Sequence, residues 1–101
     1  MEYVGIDLHK KESQICLLME TGEVIERRIR TESQRFADVL GGRPRARILV
    51  EASTESEWVA RCLEALGHEV VVADPNRLHL GDPLAAAPAW LARSHRRRRN
   101  L

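Results

Sequence analysis

The stretches YVGID (residues 3–7) and ILVE (residues 48–51) each end in a carboxylate, Asp7 and Glu51. A short apolar run that ends in an acid is typical of a buried strand whose last residue lies at the edge of a sheet. If the two strands are parallel neighbours, their carboxylates lie close together. Like charges about 4 Å apart repel by roughly 4 kcal/mol at an effective dielectric of 20, so such a pair requires a proton, a basic partner or a divalent cation.

The order of apolar runs and turn residues predicts five strands and two helices. Gly22 can supply the positive φ of a hairpin turn between the second and third strands. Thr31 and Gln34 have the spacing of a capping box, which predicts a helix after them. Thr54 and Glu57 repeat this spacing ahead of a second helix. The predicted strands cover residues 3–8, 14–19, 24–30, 46–51 and 69–73, and the helices end at Gly41 and Gly67.

The resulting β-β-β-α-β-α-β order predicts an α/β fold. Right-handed crossovers place the fourth strand beside and parallel to the first, and the fifth strand beyond it. This arrangement is a mixed five-stranded sheet of order 3-2-1-4-5 with two helices, and it places Asp7 and Glu51 on adjacent strands. Side chains alternate along a strand, so Gly5 shares a face with Asp7 and leaves room beside its carboxylate.

Charge is distributed unevenly along the 101 residues. Residues 1–80 contain 11 Lys and Arg against 14 Asp and Glu, a net charge of −3, whereas residues 81–101 contain five Arg and one Asp, a net charge of +4. The second segment is rich in Ala and Arg and has no sustained helical periodicity. We therefore predict one domain in residues 1–80 and an unstructured, divergent tail in residues 81–101.

The cysteines and the hydropathy pattern predict a cytoplasmic location. Cys16 and Cys62 lack the spacing of a zinc site, and buried thiols in a reducing compartment are the simplest interpretation. There is no signal-peptide pattern, and no apolar run approaches the roughly 20 residues of a membrane span. His68, His79 and His95 share no ligand spacing, so we expect them at the surface.

Each of the two acids has a structural alternative to metal binding. Asp7 could cap a turn, and Glu51 could complement the dipole of the helix that follows it. On adjacent strands, however, the pair suits Mg²⁺, which takes oxygen ligands and shares a few carboxylates with substrate phosphates. A complete two-metal site for phosphoryl displacement usually needs more than two acids.

Two groups of basic residues are candidates for contact with nucleic acid. Lys10 and Lys11 follow the first acid, with His9, and could hold a phosphate near it. A solvated basic turn is the simpler alternative, because no aromatic residue is interleaved for base stacking. The second group attracts nucleic acid through counterion release, although such runs are also common in disordered tails. It consists of Arg96, Arg97, Arg98 and Arg99.

Three blocks resemble the amino-terminal domain of the Piv-type DEDD transposases of insertion sequences: VGIDLHKK (residues 4–11), VEAS (residues 50–53) and GHEVVVADPNR (residues 67–77). They occur in the family order at family-like spacing and cover residues 3 to about 78. The resemblance implies a ribonuclease-H-like (RuvC-like) domain. In that family four acids bind Mg²⁺ or Mn²⁺ for DNA cleavage and strand exchange, guided by an RNA that the element encodes. Asp7 matches the first acid and Glu51 the second, which implies catalytic and metal-binding roles for both.

The sequence also departs from the family pattern. A Lys-Thr-Asp-x-x-Asp-Ala block with the third and fourth acids is expected shortly after Arg77 and is absent, as is the second domain with its serine nucleophile. Asp82 lies nearby but in a different pattern, so no role is transferred to it. The resemblance therefore implies a truncated transposase, incomplete at its carboxyl end and inactive alone. An uncovered apolar sheet surface would favour its self-association.

Two other classes of function remain open. A non-catalytic remnant would bind nucleic acid through its arginine tail alone. A phosphotransferase of the sugar-kinase and actin type also begins with three strands and carries Gly-x-Asp on the first. That site needs Gly and Ser or Thr just after the acid, where this chain has Leu8-His9-Lys10-Lys11. Metal-dependent DNA cleavage and nucleotide-dependent stabilisation distinguish these classes.

Overall fold

A computed structural model describes residues 1–74, which form one five-stranded mixed sheet and two helices. The elements are β1 (Glu2–Asp7), β2 (Glu12–Leu18), β3 (Val24–Arg30), α1 (Ser33–Leu40), β4 (Ala46–Glu51), α2 (Ser56–Ala65) and β5 (Glu69–Ala73). The strand order is β3-β2-β1-β4-β5, in which β1 pairs antiparallel with β2 and parallel with β4. The predicted α/β class and the order 3-2-1-4-5 are confirmed.

Two of the sequence predictions concern residues after this part of the chain. The predicted domain boundary at residue 80 and the predicted unstructured tail, residues 81–101, both lie outside the described residues. Within residues 1–74, no helix is long and apolar enough to cross a membrane.

Both helices cover the same face of the sheet. On β1, Val4 and Ile6 are at most 2% exposed, whereas Tyr3 points to the opposite face and is 44% exposed. Fully burying a Val, Leu, Ile or Phe side chain contributes about 1.5 to 3 kcal/mol, so this apolar layer is the main source of stability. Its residues are Val4, Ile6, Leu8, Ile15, Leu17, Ala46, Ile48 and Val50 from the strands and their ends, with Phe36, Leu40, Val59 and Leu63 from the helices.

Two glycines end elements where the sequence predicts it. Gly22 has φ of 91° in the turn between β2 and β3, and Gly67, which follows the C-cap residue of α2, has φ of 96°. Positive φ is costly for residues with a Cβ atom, whereas glycine adopts it readily. The predicted hairpin turn and the predicted end of the second helix are therefore confirmed.

The two predicted capping boxes are wrong. The N-cap residues are Glu32 for α1 and Glu55 for α2, and neither helix start has a side-chain cap hydrogen bond. Thr31 instead donates its hydroxyl to the carbonyl of His9, 2.6 Å away on the turn after β1. A threonine hydroxyl can serve a local helix or a distant loop, and here the tertiary contact replaces the local one.

The expectation that His68 lies at the surface is also wrong, because this residue is only 4% exposed. The backbone N–H of Ala46 donates to its Nδ1 at 3.1 Å, and its Nε2 lies 2.8 Å from the carbonyl oxygen of Leu40. Since Nδ1 accepts, Nε2 carries the proton and donates. One neutral imidazole therefore joins the end of α1, the start of β4 and the loop before β5.

We expect His68→Ala to lower the free energy of unfolding by about 2 to 4 kcal/mol, because it leaves a buried N–H and a buried carbonyl without partners. Urea denaturation followed by circular dichroism measures the change. The matched control is His9→Ala, which removes an imidazole that is 47% exposed and is expected to cost less than about 1 kcal/mol. Equal losses in the two variants would contradict a buried clamp at His68.

Candidate functional site

Asp7 and Glu51 are the last residues of β1 and β4, the two central parallel neighbours. The register of β1 and β4 pairs Ile6 with Val50, so the next step along both strands places Asp7 beside Glu51. Neighbouring strands are about 4.8 Å apart, and residues in register point to the same face. That face is opposite to the one covered by α1 and α2. The structure thus brings the two acids together as predicted, while metal binding by them stays a prediction.

The side chain of Asp7 is largely enclosed. It is 15% exposed, and its Oδ2 lies 3.4 Å from Nε2 of His9, whose side chain is 47% exposed. A carboxylate in such a position is costly unless it is paired or hydrogen-bonded. The imidazole of His9 is therefore one partner of the Asp7 carboxylate.

Metal-ligand spacing in the sequence does not predict the contact between His9 and Asp7. The two residues are separated by one position at the end of a strand, where the chain turns back toward its own last carboxylate. An imidazole two residues after a strand-end acid is the signal that could have found it. Within residues 1–74 no cluster of three or more His, Cys, Asp or Glu side chains could hold a metal ion.

The turn between β1 and β2 is held in place by the end of β3. The backbone N–H of Thr31 donates to the carbonyl of Lys11 at 2.9 Å, and its hydroxyl donates to the carbonyl of His9 at 2.6 Å. The hydroxyl of Ser13, which is 1% exposed, lies 2.6 Å from that of Thr31. Because the proton of Thr31 is already donated to His9, Ser13 donates to Thr31. Lys10 and Lys11 therefore sit on an anchored turn next to Asp7.

The structure separates the other predicted site residues into two groups. Lys10 and Lys11 are exposed and follow Asp7 by three and four positions, and their contact with phosphate stays a prediction. The arginine run lies outside the described residues, so its predicted contact with nucleic acid stays a prediction; it comprises Arg96, Arg97, Arg98 and Arg99.

The helix-dipole alternative for Glu51 does not fit the structure. Helix α2 begins at Ser56, five positions after Glu51, and the acid in its first turn is Glu57. The favourable interaction of a carboxylate with a helix dipole is limited to the first turn. The position of Glu51 at the end of β4 therefore needs another explanation.

Comparisons with known proteins find likeness only among solved structures. No family model matches the chain, and no curated protein matches it. Two crystal structures of the Ppx/GppA phosphatase of Aquifex aeolicus, one of them the type II variant, match with a TM-score of 0.40 and 16% identity over 74% of this chain. The chain spans 36% and 35% of the length of those two structures. A likeness at this level assigns neither an activity nor a site.

We expect Thr31→Val to lower the free energy of unfolding by about 1 to 3 kcal/mol, because it leaves the buried Ser13 hydroxyl and the His9 carbonyl without their partner. Thr31→Ser keeps the hydroxyl and should retain most of the stability. The exposed Thr54 offers a matched control in Thr54→Val, expected within about 0.5 kcal/mol of the parent. Chemical denaturation compares the three variants, and a Thr31→Val protein as stable as the parent would contradict the anchored turn.

Proposed function

We propose that this chain supplies the first two acids of a metal-dependent site for DNA cleavage and strand exchange, as in the DEDD transposases that its sequence blocks resemble. The observation that carries the proposal is the placement of Asp7 and Glu51 on neighbouring parallel strands, side by side on one face. Three sequence blocks, rather than any matched protein, support the choice of DNA as the substrate.

The donor set fits a hard divalent cation. Asp7 and Glu51 present carboxylate oxygens, the ligands that Mg²⁺ and Mn²⁺ take, and both project from strands rather than from loops. A bound cation would supply Lewis-acid stabilisation of the charge that develops during phosphoryl displacement. Lys10 and Lys11, on the anchored turn, would bind a substrate phosphate beside the acids.

Two acids are too few for the complete reaction. In-line displacement with two metal ions stabilises both the attacking and the leaving oxygen, and the chain carries only two of the four family acids. No Lys-Thr-Asp-x-x-Asp-Ala block occurs anywhere in its sequence. We therefore expect the isolated chain to bind the cation weakly and to leave DNA intact.

The phosphotransferase class stays the second candidate, and the strand-end acid followed by a turn is common to both. The turn after Asp7 disfavours the phosphotransferase class. In this turn His9 contacts Asp7 and two lysines follow His9, whereas a phosphotransferase has a loop of small residues there that binds phosphate. A rise in thermal stability with ATP that does not need Lys10 and Lys11 would favour it over a DNA site.

We expect millimolar Mn²⁺ to raise the melting temperature of the chain by a few degrees, because a ligand at ten times its Kd stabilises the folded state by about 1.4 kcal/mol. Asp7→Asn with Glu51→Gln should abolish this rise. Glu57→Gln is the control, since it removes an acid that is 79% exposed on α2. If the parent shows no rise, or if the double variant keeps it, Asp7 and Glu51 are not the metal ligands.

We expect no nicking of supercoiled plasmid by the purified chain with Mn²⁺, even when RNA from a related element is added. The missing acids remove the stabilisation of the leaving oxygen. Agarose gels over a range of protein concentrations test this, with Asp7→Asn as the control for contaminating nucleases. Nicking by the parent that disappears in Asp7→Asn would show that two acids suffice and would overturn the inactive-fragment proposal.

A further inference from the structure

A row of polar side chains crosses the sheet face opposite to the helices and ends at the acid pair. Gln14 on β2 pairs with Asp7 on β1 and with Arg28 on β3, and Glu51 continues the row on β4. Residues in register on neighbouring strands share a face. Arg28 therefore lies on the same face as Asp7, two strands away, with its Cα about 10 Å from that of Asp7.

Arg30 extends this row toward the end of the sheet at which both acids lie. It follows Arg28 by two positions on β3, so the two arginines point to the same face. The next residue, Thr31, donates its N–H to Lys11, which brings the β1–β2 turn against the end of β3. Four cations thus lie along one side of the acid pair; this basic strip consists of Lys10, Lys11, Arg28 and Arg30.

The two arginines of the strip differ in their pairing from the arginines on the two helices. Arg28 and Arg30 are exposed, and neither forms an ion pair with any of residues 1–74. Arg35 and Arg61, on the two helices, are paired with acids on their own helix or its cap. Two acids other than Asp7 and Glu51 share the face of the strip on β2 and β3: Glu12, opposite Arg30, and Glu26, two positions before Arg28.

We propose that the basic strip binds backbone phosphates of DNA and places one strand across the acid pair. The inference rests on the proposed function and names the surface that would hold its substrate. Lys and Arg contacts with phosphates set the position and orientation of DNA without reading its sequence. A strip that runs from the β3 edge to Asp7 is suited to this task, because it leads the backbone toward the acids from one side.

A charged edge strand has another physical role, which the proposal must be tested against. Within residues 1–74 β3 is an edge strand, and its arginines would also prevent this edge from associating with the edge of a second sheet. The two roles predict different measurements. If the arginines only protect the edge, their removal causes self-association and leaves the salt dependence of DNA affinity unchanged. If they bind phosphates, their removal reduces that salt dependence.

The test measures binding of a fluorescent DNA duplex by anisotropy, with the full chain in EDTA at several salt concentrations. Each phosphate contact contributes about 0.9 to the slope of log affinity against log salt on B-form DNA, so Arg28→Gln with Arg30→Gln should reduce the slope by about 2. Arg28→Lys with Arg30→Lys keeps both charges and should keep most of the slope. The matched control is Arg35→Gln with Arg61→Gln, which removes the same charge from the helix side.

Several results would overturn the proposal. These are an equal loss of slope in the helix-side control, a loss that the lysine variant does not restore, or tighter strip-dependent binding to an RNA duplex than to DNA. Self-association of the Gln variant with an unchanged slope would assign the arginines to edge protection instead. Because the assay contains no metal, a strip-dependent slope without any Mn²⁺ stabilisation would reject the cleavage site while keeping the DNA surface.

Discussion

The parallel pairing of β1 with β4 is the constraint on which the rest of the structure depends. It aligns Ile6 with Val50, so the apolar residues of both central strands point to the face that α1 and α2 cover. Because side chains alternate along a strand, the same alignment directs Asp7 and Glu51 to the other face. A shift of one residue in either strand would separate the acids and turn apolar side chains away from the core. Core packing and acid placement therefore share one register.

Two polar side chains hold the connections on either side of this pairing. His68 satisfies the N–H of Ala46 at the start of β4, and Thr31 satisfies the His9 carbonyl in the turn that follows β1. The N–H of Ala46 is buried and needs a partner, which His68 supplies, whereas the His9 carbonyl lies on an exposed turn that Thr31 holds against the end of β3. A side chain from a distant part of the chain therefore holds each of the two strands that carry the acids. His68 holds the start of β4, and Thr31 holds the turn that follows β1.

The two faces of the sheet serve different purposes. The helix-covered face is apolar and supplies most of the stability. In a small domain the free energy of unfolding is only a few kcal/mol, about 5 to 15 for native proteins in general. The opposite face carries a mostly enclosed acid next to a second acid, an arrangement that costs stability because like charges repel and are only partly hydrated. On one side of the pair, Nε2 of His9 lies 3.4 Å from the Asp7 carboxylate.

The sequence by itself determined the strands, their order and the adjacent positions of Asp7 and Glu51 on neighbouring strands. Hydrophobic alternation and turn glycines are local signals, and the handedness of crossovers is a topological rule. It did not determine which distant atom each polar side chain bonds. The spacing of Thr31 predicts a helix cap, and His68 is expected at the surface because it shares no ligand spacing with other histidines. Their hydrogen-bond partners instead lie 22 and 28 positions away along the chain. The alignment of Arg28 with Asp7 likewise depends on two strand pairings at once. Only the tertiary structure decided these contacts, since a hydrogen-bonding side chain has several equivalent partners until packing brings one within reach.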